Sequence, residues 1–297
     1  MPRFSKQNLP NNLILFMKNL LFTTCFLGIL AVAKGQDRVF NYTYQSIVLN
    51  QGQREIEVWN TLRTGRDGFY RGLDSRIEFE FGVAKNLQAA FYLNMGNSSF
   101  EQRYEEVGEE DQVTIESEME WSFSNEWKYK MSDPVANSIG SALYAEIGVG
   151  TKEMEIEAKL ILDKKIGRVT QALNLVAEPE WETEVEIEYN SDGSQETEVE
   201  NEFEFKFEFD YGLSYNINPN WNIGFEVVNR NKVEEGEWET SVLHAGPGFS
   251  YVRGPVWINL TVLPQISGLK YPGENQSGLL LDGYEKVETR LVFSYGF

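Results

Sequence analysis

The chain has 297 residues, with 46 acidic and 26 basic side chains and a formal net charge of −20. That charge excludes a nucleic-acid binder, because phosphate repulsion would dominate, and a mean hydropathy of −0.39 excludes a bundle of membrane helices. One Cys and one His exclude a disulfide framework and a Cys- or His-rich metal centre, while 13% aromatic residues are too many for a disordered acidic chain.

Residues 1–36 carry Arg3, Lys6, Lys18 and Lys34 and no acid. Met17-Lys18 begins a compact targeting signal, followed by an apolar core from Asn19 to Ala33 that ends in the small-residue run Ala31-Val32-Ala33. The core is shorter than the roughly 20 residues of a spanning helix, so it reads as a signal peptide, with Met17 as an alternative start. Cys25 sits inside that core and is no lipid-attachment site. Removing residues 1–36 leaves a single domain, 37–297, with 22 basic and 46 acidic residues and a net charge of −24.

From there the chain has a period of two. Ile77, Phe79 and Phe81 alternate with Arg76, Glu78 and Glu80; Val113, Ile115, Met119, Trp121 and Phe123 alternate with Glu116, Glu118, Glu120 and their polar neighbours. Trp181, Thr183, Val185, Ile187 and Tyr189 alternate with Glu180 to Glu188. The clearest stretch runs from Thr197 to Tyr215, where aromatic and aliphatic residues hold odd positions and acids hold even ones. Alternation at 180° per residue puts the two sets on opposite faces of a strand. Twelve strands are predicted, near 54–61, 73–82, 87–95, 112–129, 140–150, 154–163, 168–189, 196–215, 221–230, 238–251, 256–266 and 284–297. Tight connections such as Ala84-Lys85-Asn86 and Lys164 to Gly167 alternate with long polar ones at Gly96 to Asp111 and Ser267 to Gly283.

That layout predicts an all-β fold, an up-and-down antiparallel transmembrane β-barrel of about twelve strands. A soluble β-sandwich shares the period but turns the aromatics inward. The barrel is favoured by the terminal Phe297, by strands long enough to cross a membrane obliquely, and by aromatics at the short-turn ends: Trp127, Tyr129, Tyr215, Trp221, Tyr251 and Trp257. On these features, and on the run Val287 to Phe297, the sequence resembles bacterial outer-membrane β-barrel proteins. The stretch Leu49 to Glu57 is reminiscent of uncharacterised porin-like transporter families. The resemblance implies an outer-membrane location, contact with membrane lipids and lipopolysaccharide, and a C-terminal signal at Phe293, Tyr295 and Phe297 read by the barrel-insertion machinery.

In such a barrel the acids line the lumen. Glu78, Glu80, Glu116, Glu118 and Glu120 would face it with Arg76, Lys159, Lys206 and Arg290 as basic partners. If the strands at 168–189 and 196–215 pair through Asn190 to Ser194, Glu188 opposes Glu196, Glu186 opposes Glu198 and Glu182 opposes Glu202, with Glu184 and Glu200 in the same ladder. This ladder reads either as a cation-collecting funnel or as a solvated hairpin above the membrane. His244, the single histidine, is three residues from Ser241 and so faces the other side of its strand. No catalytic pair, cofactor motif or metal-ligand spacing is found. The expected function is a passive channel or transporter for small cationic or neutral solutes. The alternative is a structural or adhesive surface protein whose acidic hairpin binds divalent cations or a partner.

Overall fold

The computed structural model describes residues 38–104, 112–189, 195–271 and 278–297. The signal segment 1–36 and the turn Asn190 to Ser194 lie outside the described residues, as do the side chains of Glu184, Glu186, Glu198 and Glu200. Twelve antiparallel strands close into one barrel: β1 (Arg54–Arg66), β2 (Gly68–Ala84), β3 (Leu87–Tyr104), β4 (Gln112–Ser132), β5 (Gly140–Gly150), β6 (Glu153–Ile166), β7 (Val169–Tyr189), β8 (Gln195–Asn218), β9 (Trp221–Glu234), β10 (Glu237–Arg253), β11 (Val256–Lys270) and β12 (Val287–Gly296). Each strand pairs with its sequence neighbours, and β1 closes on β12 with Glu55 opposite Gly296 and Thr64 opposite Val287. Both ends of the barrel wall therefore lie at one rim, called here the near end.

Strand parity sets the two faces. On β1, Ile56, Val58 and Leu62 point outward, while Glu55, Glu57, Trp59 and Thr61 are buried inside. The outer surface is a continuous apolar coat, with Phe79, Phe91, Phe123, Phe203, Phe209, Phe249 and Phe293 among its exposed residues. Outer rings touch across strands: Phe81 to Phe91 at 6.0 Å, Phe91 to Phe123 at 6.1 Å, and Phe79 to Phe297 at 6.4 Å across the closing seam. A coat of that extent is stable against hydrocarbon and unstable in water.

Two expectations are corrected. The connections at the far end are not uniformly long: β1–β2, β5–β6 and β9–β10 turn within one or two residues, and β3 and β11 continue to Tyr104 and Lys270 through stretches expected to be loop. At β9–β10, Glu235 and Gly236 both take positive φ (51° and 83°), the backbone of a two-residue hairpin whose twist matches its strands. Trp257 does not belong to an outer girdle. The inward positions of β11 are odd (Trp257, Asn259, Thr261 and Leu263 are all buried), so Trp257 is fully buried in the lumen and donates its indole N–H to Glu55. Trp127, Tyr129, Tyr215 and Trp221 do point outward.

Inside, Trp59, Tyr144, Ile161, Trp257 and Val292 pack with Tyr44 into an apolar cluster. The β4–β5 connection is fixed by Asp133, which accepts from Lys130 Nζ at 2.7 Å and from the amides of Val135 and Ala136. These donors hold its carboxyl down to about 2.

Candidate functional site: a vestibule above a lumen segment

Residues 38–49 are not part of the wall. They run inside the barrel without regular secondary structure, and Phe40, Tyr42, Tyr44 and Leu49 are buried there. A chain without strand partners must satisfy its backbone elsewhere, and the wall supplies the groups. Leu49 N–H donates to Gln88 Oε1 (2.9 Å), and Ser46 N–H to Asp163 Oδ2 (3.1 Å). Asn174 grips Tyr44 at both its N–H (2.6 Å) and its carbonyl (3.0 Å). The three successive amides of Asn41, Tyr42 and Thr43 all donate to the Glu226 carboxylate, at 3.0, 2.8 and 2.8 Å, and Thr261 Oγ1 adds a fourth donor at 2.8 Å. The chain then turns back. Val39 N–H donates to Gln45 Oε1, and the Arg38 carbonyl accepts from Asn259 and Ser250. The segment thus touches β3, β6, β7, β9, β10 and β11 and packs inside the near half of the lumen.

Glycines in the wall make room for it. At Gly212 a Cβ would lie 2.8 Å from the Phe40 ring, and at Gly82 one would lie 2.1 Å from the Asn50 carbonyl oxygen. A Gly212→Val substitution is expected to lower stability by about 1–3 kcal/mol through overpacking, read as a shift in the urea unfolding midpoint. In a chain lacking residues 38–48 the same substitution should cost nothing.

Above the segment lies a vestibule of about 460 Å³, with Tyr42 and Tyr44 at its floor. Its wall carries nine carboxylates (Asp74, Glu120, Glu146, Glu153, Glu155, Glu157, Glu178, Glu208, Asp210) and five bases (Arg63, Arg76, Lys159, Arg230, Arg290), a formal −4. A recess of about 200 Å³ shares Arg63, Asp74 and Glu120 with it and continues to Arg66, Tyr70 and Glu118 toward the far rim.

The charges are sorted by strand. Arg63, Arg76 and Arg290 come from β1, β2 and β12. Arg63 binds Asp74 at 2.8 Å, Arg76 reaches Glu146 at 3.7 Å, and Arg290 lies 4.0 Å over the Tyr42 ring. Arg230 of β9 forms a two-pronged pair with Glu288 and also holds Glu208 at 3.2 Å. Six of the nine vestibule acids come from three adjacent strands: Glu153, Glu155 and Glu157 from β6, Glu178 from β7, and Glu208 and Asp210 from β8. Glu155, Glu178 and Glu180 have carboxylate oxygens within 4.8 Å of one another, with Lys206 bridging Glu178 and Glu180. A rim cluster of Glu202, Glu204 and Glu234 is likewise bridged, through Glu204 and Glu234, by Lys232.

The residues singled out from the sequence fall in several places in the barrel. Glu120, Arg76, Lys159 and Arg290 line the vestibule. Glu78 and Glu80 face inward but are almost fully buried rather than water-facing, because the 38–49 segment and the near-end aromatics fill the space beside them. Glu118 reaches the upper recess and Glu202 is exposed at the far rim. Glu116 and Glu182 are half-buried near that rim, where β7 and β8 pair in the expected register, Glu182 opposite Glu202 and Glu186 opposite Glu198. Phe293 and Tyr295 of β12 and Phe297 just beyond it lie on the outer face, with the Tyr295 and Phe297 rings 6.5 Å apart. His244 is fully buried beside Arg230 and Glu288, while Ser241 accepts from Asn229 at 3.1 Å.

Sequence reasoning missed the inner segment and its anchors Glu226, Asn174, Asp163 and Gln88. Its signal was compositional: residues 38–53 contain no acid, whereas the chain from Glu55 onward is dense with them.

A family model matches residues 32–297, described as a family of unknown function, DUF6662. The chain belongs to that family. No curated protein matches the sequence. Among solved structures, this DUF6662 barrel is similar to the β domain of the Bordetella autotransporter BrkA, at TM-score 0.51 and 8% identity over 84% of this chain and 100% of that one. It is also similar to the NanC porin (TM-score 0.44, 10% identity, 81% and 98% covered) and to the Ralstonia pickettii toluene transporter TbuX (0.40, 10%, 84% and 90%). The BrkA likeness shows the fold alone, a closed β-barrel.

Proposed function

We propose that this DUF6662 protein is an outer-membrane channel for small cationic or neutral solutes, closed on the periplasmic side by its own residues 38–49. The observation that carries the reading is the vestibule, whose nine carboxylates outnumber its five bases. A polar cavity with excess negative charge and low-dielectric walls concentrates cations. The near end, where both ends of the wall and four two-residue turns lie, faces the periplasm, while the far end with the long β7–β8 hairpin faces outward. Lipid and lipopolysaccharide cover the apolar coat, and Phe293, Tyr295 and Phe297 present the final strand to the insertion machinery.

The test is the reversal potential of the purified barrel lacking residues 38–48 in a planar bilayer under a KCl gradient. A cation-selective potential is expected, reduced in Glu153→Gln/Glu155→Gln. Anion selectivity would overturn the assignment of solute charge.

A second reading rests on β7 and β8, among the longest strands at 21 and 24 residues, about twice a spanning length. Their upper halves stand clear of the membrane with glutamates paired across the hairpin, a surface suited to bridging divalent cations or a cationic partner.

A further inference from the structure

In the near half of the barrel, beside the inner segment, Glu57 of β1 and Glu78 and Glu80 of β2 bring three carboxylate oxygens within 4.8 Å of one another, and each residue is at least 97% buried. The chain has many acids, and clustering alone means little. What sets this cluster apart is Glu78, whose two carboxylate oxygens are both buried and receive no hydrogen bond. Its carboxyl lies against that of Glu80. An ionised carboxylate removed from water costs several kcal/mol unless a donor or a cation compensates it.

The surrounding bases do not supply that compensation. Arg38 stands 3.9 Å from Glu57 and also covers the rings of Tyr44 and Trp59. Lys128 is buried nearby but lies against Glu126 first, while Glu126 also accepts from Tyr92 and Gln88, and fully buried Glu55 accepts from Trp257 and Ser294, so none of these groups reaches the bare oxygens of Glu78. Arg76, the next cation, is committed to Glu146 and Asn94. The site therefore needs either protons or a further positive ion.

We propose that Glu57, Glu78 and Glu80 form a divalent-cation site, of calcium type, that fastens the closed end of the barrel. Oxygens bound to one Ca²⁺ at about 2.3–2.6 Å lie no more than roughly twice that distance apart, which the 4.8 Å spread satisfies. The ion joins β1 to β2 where the inner segment enters the lumen. Glu80 is two residues from Gly82, whose N–H and carbonyl bond Gln53 and Gly52. Through the β1–Arg38 contact, the ion also bears on the segment's far end. This site is separate from the vestibule and does not depend on transport.

The full barrel, folded in detergent and stripped with EDTA, should be titrated with Tb³⁺ alone while exciting tryptophan. Trp59 donates its indole N–H to Glu57 Oε2 at 2.7 Å and is a built-in sensitiser. The expected result is saturable emission at one ion per barrel, displaced by Ca²⁺ and weakened at least tenfold by Glu78→Gln. The rim variant Glu202→Gln/Glu234→Gln should leave it unchanged. Should Glu78→Gln fail to fold, the unmodified barrel decides: Ca²⁺ should raise its thermal midpoint and EDTA should reverse the rise. Emission that survives Glu78→Gln, emission lost in the rim variant, or a midpoint indifferent to Ca²⁺ would overturn the site and leave Glu78 and Glu80 joined by a shared proton.

Discussion

Replacing Glu226 with alanine is expected to unseat the leading half of the inner segment while leaving the barrel wall intact. One carboxylate terminates three consecutive backbone amides and the Thr261 hydroxyl. Hydrogen bonds to a charged acceptor contribute about 1.5–3 kcal/mol each, and the three amides have no alternative partner along the segment. Allowing for non-additivity, about 3–4 kcal/mol of local stability is lost, on the order of 10²–10³-fold in opening equilibrium. The measurement is amide hydrogen exchange. Protection should collapse at Asn41, Tyr42 and Thr43, yet persist at Tyr44, Ser46 and Leu49, which Asn174, Asp163 and Gln88 hold independently. Uniform loss along 41–49 would show that the segment moves as one piece. Unchanged protection would show that Glu226 does not anchor it.

Arg230 is the second site where a large effect is expected. Its guanidinium engages Glu288 with both terminal nitrogens and Glu208 through Nε, and Glu288, itself 3% exposed, also accepts from the Tyr42 hydroxyl at 3.1 Å. Arg230→Met leaves Glu288 buried without its cation, which costs about 3–5 kcal/mol. Substituting both partners, Arg230→Met with Glu288→Met, should recover most of that loss, because the desolvation penalty disappears with the charges. Urea unfolding of the single and double variants checks this. A single variant within about 0.5 kcal/mol of the parent would mean that water reaches the pair and screens it.

Much of this architecture was legible in strand parity. The β8 run from Thr197 to Tyr215 fixes its own two faces, and the Glu182–Glu202 register follows from centring the hairpin on Asn190 to Ser194. Parity also assigns Glu78, Arg76 and Glu120 to the inside. It does not say whether an inward residue meets water, which depends on what fills the lumen. Glu78 and Glu120 share the same pattern, yet one is buried and the other lines the vestibule. The filling comes from residues 38–49, which have no strand partner and so no pairing signature to read. Trp257 was misplaced for a related reason. Aromatic residues near a strand end suit an interfacial girdle, but a barrel with a filled near half also buries aromatics inside, as Trp59, Tyr92 and Tyr144 show. Glu226 carried no signal: it is one glutamate among many, and its role arises from three amides more than 180 residues away in sequence.

On the function proposed above, the barrel is closed by its own chain beneath a cation-favouring vestibule. Single-channel conductance in a planar bilayer, comparing the intact protein with a variant lacking residues 38–48, tests it most directly. The intact barrel should pass little current, and the deletion should open a steady, several-fold larger, cation-selective conductance. Equal conductance in the two proteins would contradict the account.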